Sequence, residues 1–285
     1  MSPTSSFVLL NLPFLALTEV IEKLELKELF LLSFCSKKTH FVAKHYRDKS
    51  IKLELELHGE WRGVQLELFE TNGINLLVLN INIFSESPLQ GCSTVKVEGQ
   101  TLKIRDDLKY GFDVYCRNSQ CGTNILLQYV LNLFNKNIDA VHFLKSTSWM
   151  MGMVEKLQGS SYQAFFSVNY GRDDAFTDDE FRDLLIACKA TDLHITHSPS
   201  NAFRFDNFAK KYDSLCIEHG HWITSENLVS LDCQELIIYK KSFTKQEIRR
   251  FLKRWIEGGS PRLKALSVEV NNRDGDEIFS NIEEY

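Results

Sequence analysis

The stretch FVLLNLPFLALTEVIEKLELKELFLLSFCSKKTHFVAKHY, Phe7 to Tyr46, decides how the rest of the chain is read. After Leu12-Pro13, the apolar residues Leu17, Val20, Ile21 and Leu24 stand 4, 7, 8 and 11 positions beyond the proline. That spacing lines one face of an α-helix. Pro13 suits its first turn, where the missing N–H has no partner to lose. A second helix is expected over Glu25 to Phe34, carried by Leu26, Leu29, Phe30 and Leu32. A third follows from Ser36, with Phe41, Val42 and His45 on one side. Three short helices make too small a core to be very stable alone. They also carry more apolar surface than they need to cover one another, which points to a partner.

The residues Leu12-Pro13, Leu15-Ala16-Leu17, Glu19, Val20-Ile21, Leu24, Glu28-Leu29, Leu32-Ser33 and Cys35-Ser36-Lys37-Lys38 follow in order. In order and spacing this stretch resembles an F-box. The resemblance implies docking on a Skp-family adaptor, and through it on the cullin of an SCF-type ubiquitin ligase. The adaptor-binding residues it implies are Leu12, Pro13, Leu17, Val20, Ile21, Leu24, Leu29 and Leu32. Two positions depart from the family pattern. Leu15 stands where an acidic residue is often found, and Thr39 where the third helix often has a tryptophan.

With 285 residues the chain is long enough for one or two domains with a sizeable core. The net charge of -5 argues against a general nucleic-acid binder, which needs a cationic surplus to neutralise phosphates. No apolar run approaches the ~18 residues that a membrane helix needs, so no membrane partner is expected. The run from Phe7 to Leu17 lacks a preceding positive cluster, contains Asn11 and Pro13, and has no small-x-small cleavage site after it. It reads as folded structure rather than a signal peptide. The seven cysteines, at 35, 92, 116, 121, 188, 216 and 233, are odd in number and scattered. Free thiols in a reducing compartment follow, with cytoplasm or nucleus as the expected location.

Beyond Lys49 the pattern changes from helical to period two. Ile51 to Leu57 alternates apolar and charged residues, and Val64–Phe69, Ile74–Phe84, Thr94–Val97, Leu102–Ile104 and Phe112–Tyr115 read as further strands. Asn72-Gly73 suits a tight hairpin turn and Glu98-Gly99-Gln100 a second turn. An antiparallel patch is expected, followed by a helix from Gly122 to Phe134.

The second half offers short apolar strands at Ala140–Leu144, Gln163–Val168, Asp192–Thr196, Ser214–Glu218, Glu235–Tyr239 and Ala265–Val270. Their recurrence every 20 to 30 residues, marked by Phe143, Phe166, Leu193, Leu215, Leu236 and Leu266, predicts an irregular leucine-rich-type α/β solenoid. Thr177-Asp-Asp-Glu180 and Thr244-Lys-Gln-Glu247 fit capping boxes that open two intervening helices. The second is expected to bury Ile248, Phe251, Leu252, Trp255 and Ile256, with Arg249, Arg250, Lys253 and Arg254 on its solvent side. These cations are either a solvated face or a docking surface for an acidic partner. The segment from Phe243 to Val270, with Phe251-Leu252-Lys253, Trp255-Ile256 and Gly259-Ser260-Pro261, resembles the end of a type 2 F-box-associated domain, found after F-boxes in a large nematode family.

Chemical motifs are sparse. No phosphate loop, nucleophile elbow or His-Glu-x-x-His helix occurs. Cys216, His219 and His221 form the best metal-like cluster but lack a fourth ligand, and no metal or cofactor is expected. Cys116 and Cys121 flank a turn, as a redox pair or as reduced thiols. His194 and His197 sit near a strand end without an assigned role, and the acidic run of Asp173, Asp174, Asp178, Asp179 and Glu180 fits a helix dipole.

The expected architecture is α+β: an F-box over residues 7–48, an F-box-associated domain over 49–270, and an acidic tail over 271–285. The middle part divides into a β-rich entry (49–115) and the solenoid (116–270). The implied function is a non-catalytic substrate-recognition subunit of an SCF-type ligase, with an unidentified protein substrate held by the solenoid. The alternatives are a non-ligase interaction scaffold with a degenerate F-box, and a cysteine-dependent enzyme, which requires a thiol of depressed pKa.

Overall fold

The computed structural model describes residues 9–61, 63–71, 76–83, 90–108, 111–159, 162–166, 175–206 and 208–271. Its contacts divide the chain into two compact units, Met1–Asp139 and Ala140–Tyr285. The expected Asn72-Gly73 turn, Asp173-Asp174 and the tail beyond Asn271 lie outside the described residues.

The first unit opens with α1 (Phe14–Glu22), α2 (Leu26–Cys35) and α3 (Lys37–Tyr46). The three helices follow from the local code. Pro13 is the N-cap of α1, and its carbonyl accepts the first helical bond from Leu17 N at 2.9 Å. Glu25 and Glu28 close a capping box on α2; Ser36 and Thr39 close another on α3.

Six strands follow: β1 (Leu53–Glu60), β2 (Gly63–Glu70), β3 (Leu76–Ile83), β4 (Ser93–Val97), β5 (Gln100–Leu108) and β6 (Gly111–Cys116). The sheet order here is β1-β2-β3-β6-β5-β4. Alternation sets its buried face: Leu55 and Leu57 pair with Leu68 and Leu66, which pair with Leu77 and Leu79. All six are fully buried, each contributing about 1.5–3 kcal/mol of transfer free energy. Helix α4 (Ser119–Phe134) packs over β2, β3 and β6 with Leu126, Leu127, Val130, Leu133 and Phe134 inward. It starts three residues before its sequence-based expectation, because Asn118 accepts a cap bond from Cys121 N at 2.9 Å.

The patch is mixed, not purely antiparallel, because β3 and β6 run parallel. The β4–β5 hairpin is placed outside β6, so β6 fills the place beside β3 in β3's own direction. Two local features allow this. Glu98 and Gly99, both at positive φ (47° and 82°), turn the hairpin tightly between Val97 and Gln100. At Gly111 a Cβ would come within 1.9 Å of the Val78 carbonyl oxygen, so only glycine lets the strands meet there.

The second unit contains β7 (Ala140–Phe143), β8 (Gln163–Phe166), β9 (Asp192–Ile195), β10 (Lys211–Ile217), β11 (Asp232–Phe243) and β12 (Ala265–Val270). They pair in chain order and all in parallel, with β12 at the edge. Two apolar ladders run across them. One is Val141-Ala164-Leu193-Leu215-Leu236-Leu266, and the other is Phe143-Phe166-Ile195-Ile217-Ile238-Val268.

This sheet corrects the expected solenoid. The spacing of 20 to 30 residues is the length any parallel crossover needs, so it does not by itself imply stacked repeats. The chosen markers also straddle two rungs: Phe143 and Phe166 belong to one ladder, Leu193 onward to the other. Among the described residues no repeating unit connects the strands. The β7–β8 link carries α5 (Trp149–Gln158), β8–β9 carries α6 (Asp178–Ala187), and β10–β11 carries the six-residue α7 (Ser225–Ser230). Helix α8 (Lys245–Ile256) joins β11 to β12. Between β9 and β10 no helix occurs among the described residues. Side chains pin that loop instead: Asn227 donates to the Phe205 and Asp206 carbonyls at 3.0 and 3.2 Å. Lys210 Nζ caps the end of α6 on the Leu185, Ile186 and Cys188 carbonyls. The aromatic surplus of this half is core, with Phe181, Phe203 and Phe208 arranged around a buried Trp222 at ring distances of 5.3–6.0 Å.

Candidate functional site

The three N-terminal helices are anchored from within their own unit. Phe30 is fully buried, its ring 4.7 Å from Phe34, 5.7 Å from Phe112 and 6.1 Å from Tyr129. Tyr129 of α4 gathers polar pins as well. Its hydroxyl bonds Ser33 Oγ at 2.7 Å and lies 3.2 Å from His40 Nδ1. Burial raises the pKa of this phenol, which keeps it protonated and able to donate. Lys44 Nζ reaches Asn132 at 3.1 Å, and Lys27 pairs with Asp106 at 2.5 Å while lying over the Phe112 ring.

With one side of the helices fixed in this way, the opposite side defines the candidate site. The eight residues implied by the resemblance divide three ways. Leu17, Ile21 and Leu29 are buried inside the chain. Leu12, Leu24 and Leu32 are half-buried. Pro13 and Val20 face solvent. Beside them stand apolar side chains that the sequence reading did not assign: Leu15 is 76% exposed, Phe14 60% and Phe41 51%, with Leu31 exposed on α2. Phe14 packs edge-on to Tyr46 at 5.3 Å, and Tyr46 lies 6.4 Å from Phe41, which stacks on His45 at 3.9 Å. An apolar edge therefore runs from the first turn of α1 to the last turn of α3. Phe41 and His45 do not share Val42's side, since Val42 is buried. A sequence signal for Leu15 existed: it stands about 200° around the helix from Leu17, opposite the face that packs.

The remaining polar clusters, His197 apart, find partners within the fold. His219 Nε2 lies 3.2 Å from the Lys240 ammonium, and His221 Nε2 lies 3.2 Å from the Ser200 carbonyl oxygen. Burial and then Lys240 lower the His219 pKa. Cys216 sits on β10 beside His194, which pairs with Glu218 at 3.1 Å. Cys116 is buried against the Asn82 carbonyl at 3.4 Å, and burial pushes its thiol up to about 11; Cys121 is exposed on the first turn of α4. Burial likewise raises Cys188, Cys216 and Cys233, the reverse of what a nucleophilic thiol requires. The acidic run opens α6. Glu180 takes a bond from Lys145 and closes the Thr177 capping box, which lowers its pKa to about 2; Asp178 accepts two bonds from Ser200; and Asp179 pairs with Arg182 at 2.8 Å. No helix among the described residues is long and apolar enough to cross a membrane.

Comparison with known proteins agrees with both ends of this picture. The F-box domain family matches residues 9–50, and the family described as F-box associated matches residues 205–268. The chain thus carries an F-box domain followed by an F-box associated domain. The Skn-1 dependent zygotic transcript 15 protein of Caenorhabditis elegans is 23% identical over 99% of this chain and 86% of its own length. The E3 ubiquitin-protein ligase hecw-1 of the same organism is 22% identical over 51% of this chain, a match that spans only 14% of that protein. No solved structure matches. An F-box implies binding of a Skp-family adaptor, and proteins built on it are typically non-catalytic.

Proposed function

We propose that this protein is the substrate-recognition subunit of an SCF-type ubiquitin ligase. Residues 7–48 act as the adaptor-binding module, and residues 49–270 hold a protein substrate. The observation that carries this reading is the apolar edge of Phe14, Leu15 and Phe41, left in solvent on helices whose other side is already packed. The adaptor contacts are Leu12, Pro13, Val20, Leu24 and Leu32, joined by Phe14 and Leu15. Leu17, Ile21 and Leu29 act from inside by fixing the helix geometry. The mechanism is proximity: tethering substrate near a ubiquitin-charged enzyme raises its effective concentration without bond chemistry in this chain. Such complexes work in the cytoplasm or nucleus, in keeping with seven free cysteines.

The test is co-purification of the full chain with a Skp adaptor, beside a Val20→Asp variant. Capture of the parent chain and loss of the variant supports the reading; equal capture of both, or of neither, overturns it. One observation favours a non-ligase scaffold as the second reading. Thr39, at the position where a tryptophan is common, is buried and closes the α3 capping box with Ser36 at 2.8 and 3.1 Å. Adaptor affinity separates the two.

A further inference from the structure

The spacing of α8 predicts that Trp255 and Ile256 are buried with Ile248 and Phe251. The structure buries only the last two. Leu252 is half-covered, and Trp255 and Ile256 are turned outward at 43% and 48% exposure. The end of the helix is not frayed. Glu257 N donates to Lys253 O at 3.1 Å, Gly258 N to Trp255 O at 3.0 Å and Gly259 N to Arg254 O at 2.8 Å. Gly258, at φ 86°, makes the turn. An aromatic and an aliphatic side chain are therefore presented on a closed helical turn.

Their surroundings are cationic. Helix α8 carries Lys245, Arg249, Arg250, Lys253 and Arg254 against Glu247, in a chain whose net charge is -5. Arg250 is committed to Glu226 of α7 at 2.8 Å. Lys253 and Arg254 complement the helix dipole, but the dipole does not account for the solvent exposure of Trp255 and Ile256. Cations flanking an exposed apolar pair fit a ligand that is both acidic and apolar.

We propose that the C-terminal half of α8 is a docking site for an acidic peptide segment bearing an aromatic or aliphatic side chain. That side chain packs on Leu252, Trp255 and Ile256, and the carboxylates face Lys253 and Arg254. Tryptophan is enriched among the few residues that carry most of the binding energy of an interface. The net negative charge of the whole chain opposes a long polyanion, such as a nucleic acid, or an anionic bilayer beyond the contact itself. The site deepens the substrate-receptor reading and rests on it only for the origin of the peptide.

The experiment is fluorescence anisotropy on the purified full chain with a labelled peptide of Asp and Glu interspersed with Phe and Leu. Its controls are the Asn/Gln counterpart, a single-stranded RNA of equal charge and phosphatidylserine vesicles. The acidic peptide is expected to bind, and rising salt weakens it. The double variant Lys253→Glu/Arg254→Glu lowers its affinity by about tenfold or more while the melting temperature falls by only a few degrees, the effect of two anions at a helix C-terminus, and Trp255→Ala lowers it by about fivefold. Equal binding of the neutral peptide, equal binding by the variants, or tighter binding of RNA or vesicles overturns the site. So does a dimer in sedimentation that the double variant dissolves, or peptide binding that begins only when Asp274, Asp276 and Glu277 are neutralised; these assign the face to a second copy or to the chain's own tail. Adaptor capture is measured on the same preparations. A chain that captures the adaptor but ignores the peptide overturns this site alone; one that binds the peptide but not the adaptor overturns the receptor reading alone.

Discussion

Helices α1 and α8 both hold large apolar side chains in solvent, against opposite electrostatic backgrounds. On α1 the exposed Phe14, Leu15 and Val20 share the helix with Glu19 and Glu22 and with no cation. On α8 the exposed Trp255 and Ile256 stand among five cations. The two helices are also held differently. Pro13 makes no side-chain cap on α1, which depends on Leu17 and Ile21 being buried. Thr244 and Glu247 close a full capping box on α8. An apolar surface without cations suits a preformed apolar groove, whereas one ringed by cations selects an acidic ligand. Two docking faces of different chemistry are what a protein needs if it is to link two unlike partners.

The strongest challenge to this contrast removes the support behind the first face. Phe30→Ala deletes a fully buried ring from the Phe34, Phe112 and Tyr129 cluster. A loss of about 3–5 kcal/mol is expected in denaturant titration, with adaptor capture falling alongside; a change below ~1 kcal/mol would mean that the helices do not depend on this packing.

Two polar sites within the fold differ next. Around Phe30 the polar groups of Ser33 and Tyr129 are paired, whereas neither ring nitrogen of His197 has a hydrogen-bond partner. His197 is buried beside Phe176 and Phe181, and burial lowers its pKa from 6.5 to about 4, with Asp178 opposing the shift. The folded state therefore keeps the imidazole neutral while the unfolded state takes up the proton. Stability from this group is full above pH 6.5 and is lost as pH falls toward 4, by on the order of 3 kcal/mol. His197→Leu is expected to flatten that part of the stability–pH curve, and an unchanged slope would assign it to other groups.

Val20→Asp sharpens the contrast at the surface. Placing a charge on an exposed apolar side chain of α1 should weaken adaptor capture by about tenfold, or about 1.4 kcal/mol. The melting temperature should move little, because that side chain faces solvent. The smallest effect is expected at Thr244→Ala, which removes the α8 cap at a cost of about 1 kcal/mol. Thermal melts should register it, and acidic-peptide binding should persist, since the cationic and apolar side chains lie two turns away.

Much of the fold was legible because it is local. Capping boxes at Thr177 and Thr244, the alternation of Leu53, Leu55 and Leu57, and the final strand Ala265–Val270 all appear where the pattern places them. Helix α7 was missed because its box, Thr224 with Asn227, uses asparagine in place of Glu or Gln. Helix α5 has no side-chain cap at all. The parallel β3–β6 pair was invisible, since strand order depends on where a hairpin is placed and not on the period of either strand.

The amino-acid sequence by itself determined the helices of the F-box, the strands and their buried faces, because capping and periodicity act over a few residues. Only the tertiary structure decided which apolar side chains remain outside. Leu17, Ile21 and Leu29 are consumed by the core while Phe14, Leu15, Trp255 and Ile256 are left in water. The physical reason is that an amphipathic stripe states that a side chain can be buried, whereas burial itself requires another surface to pack against.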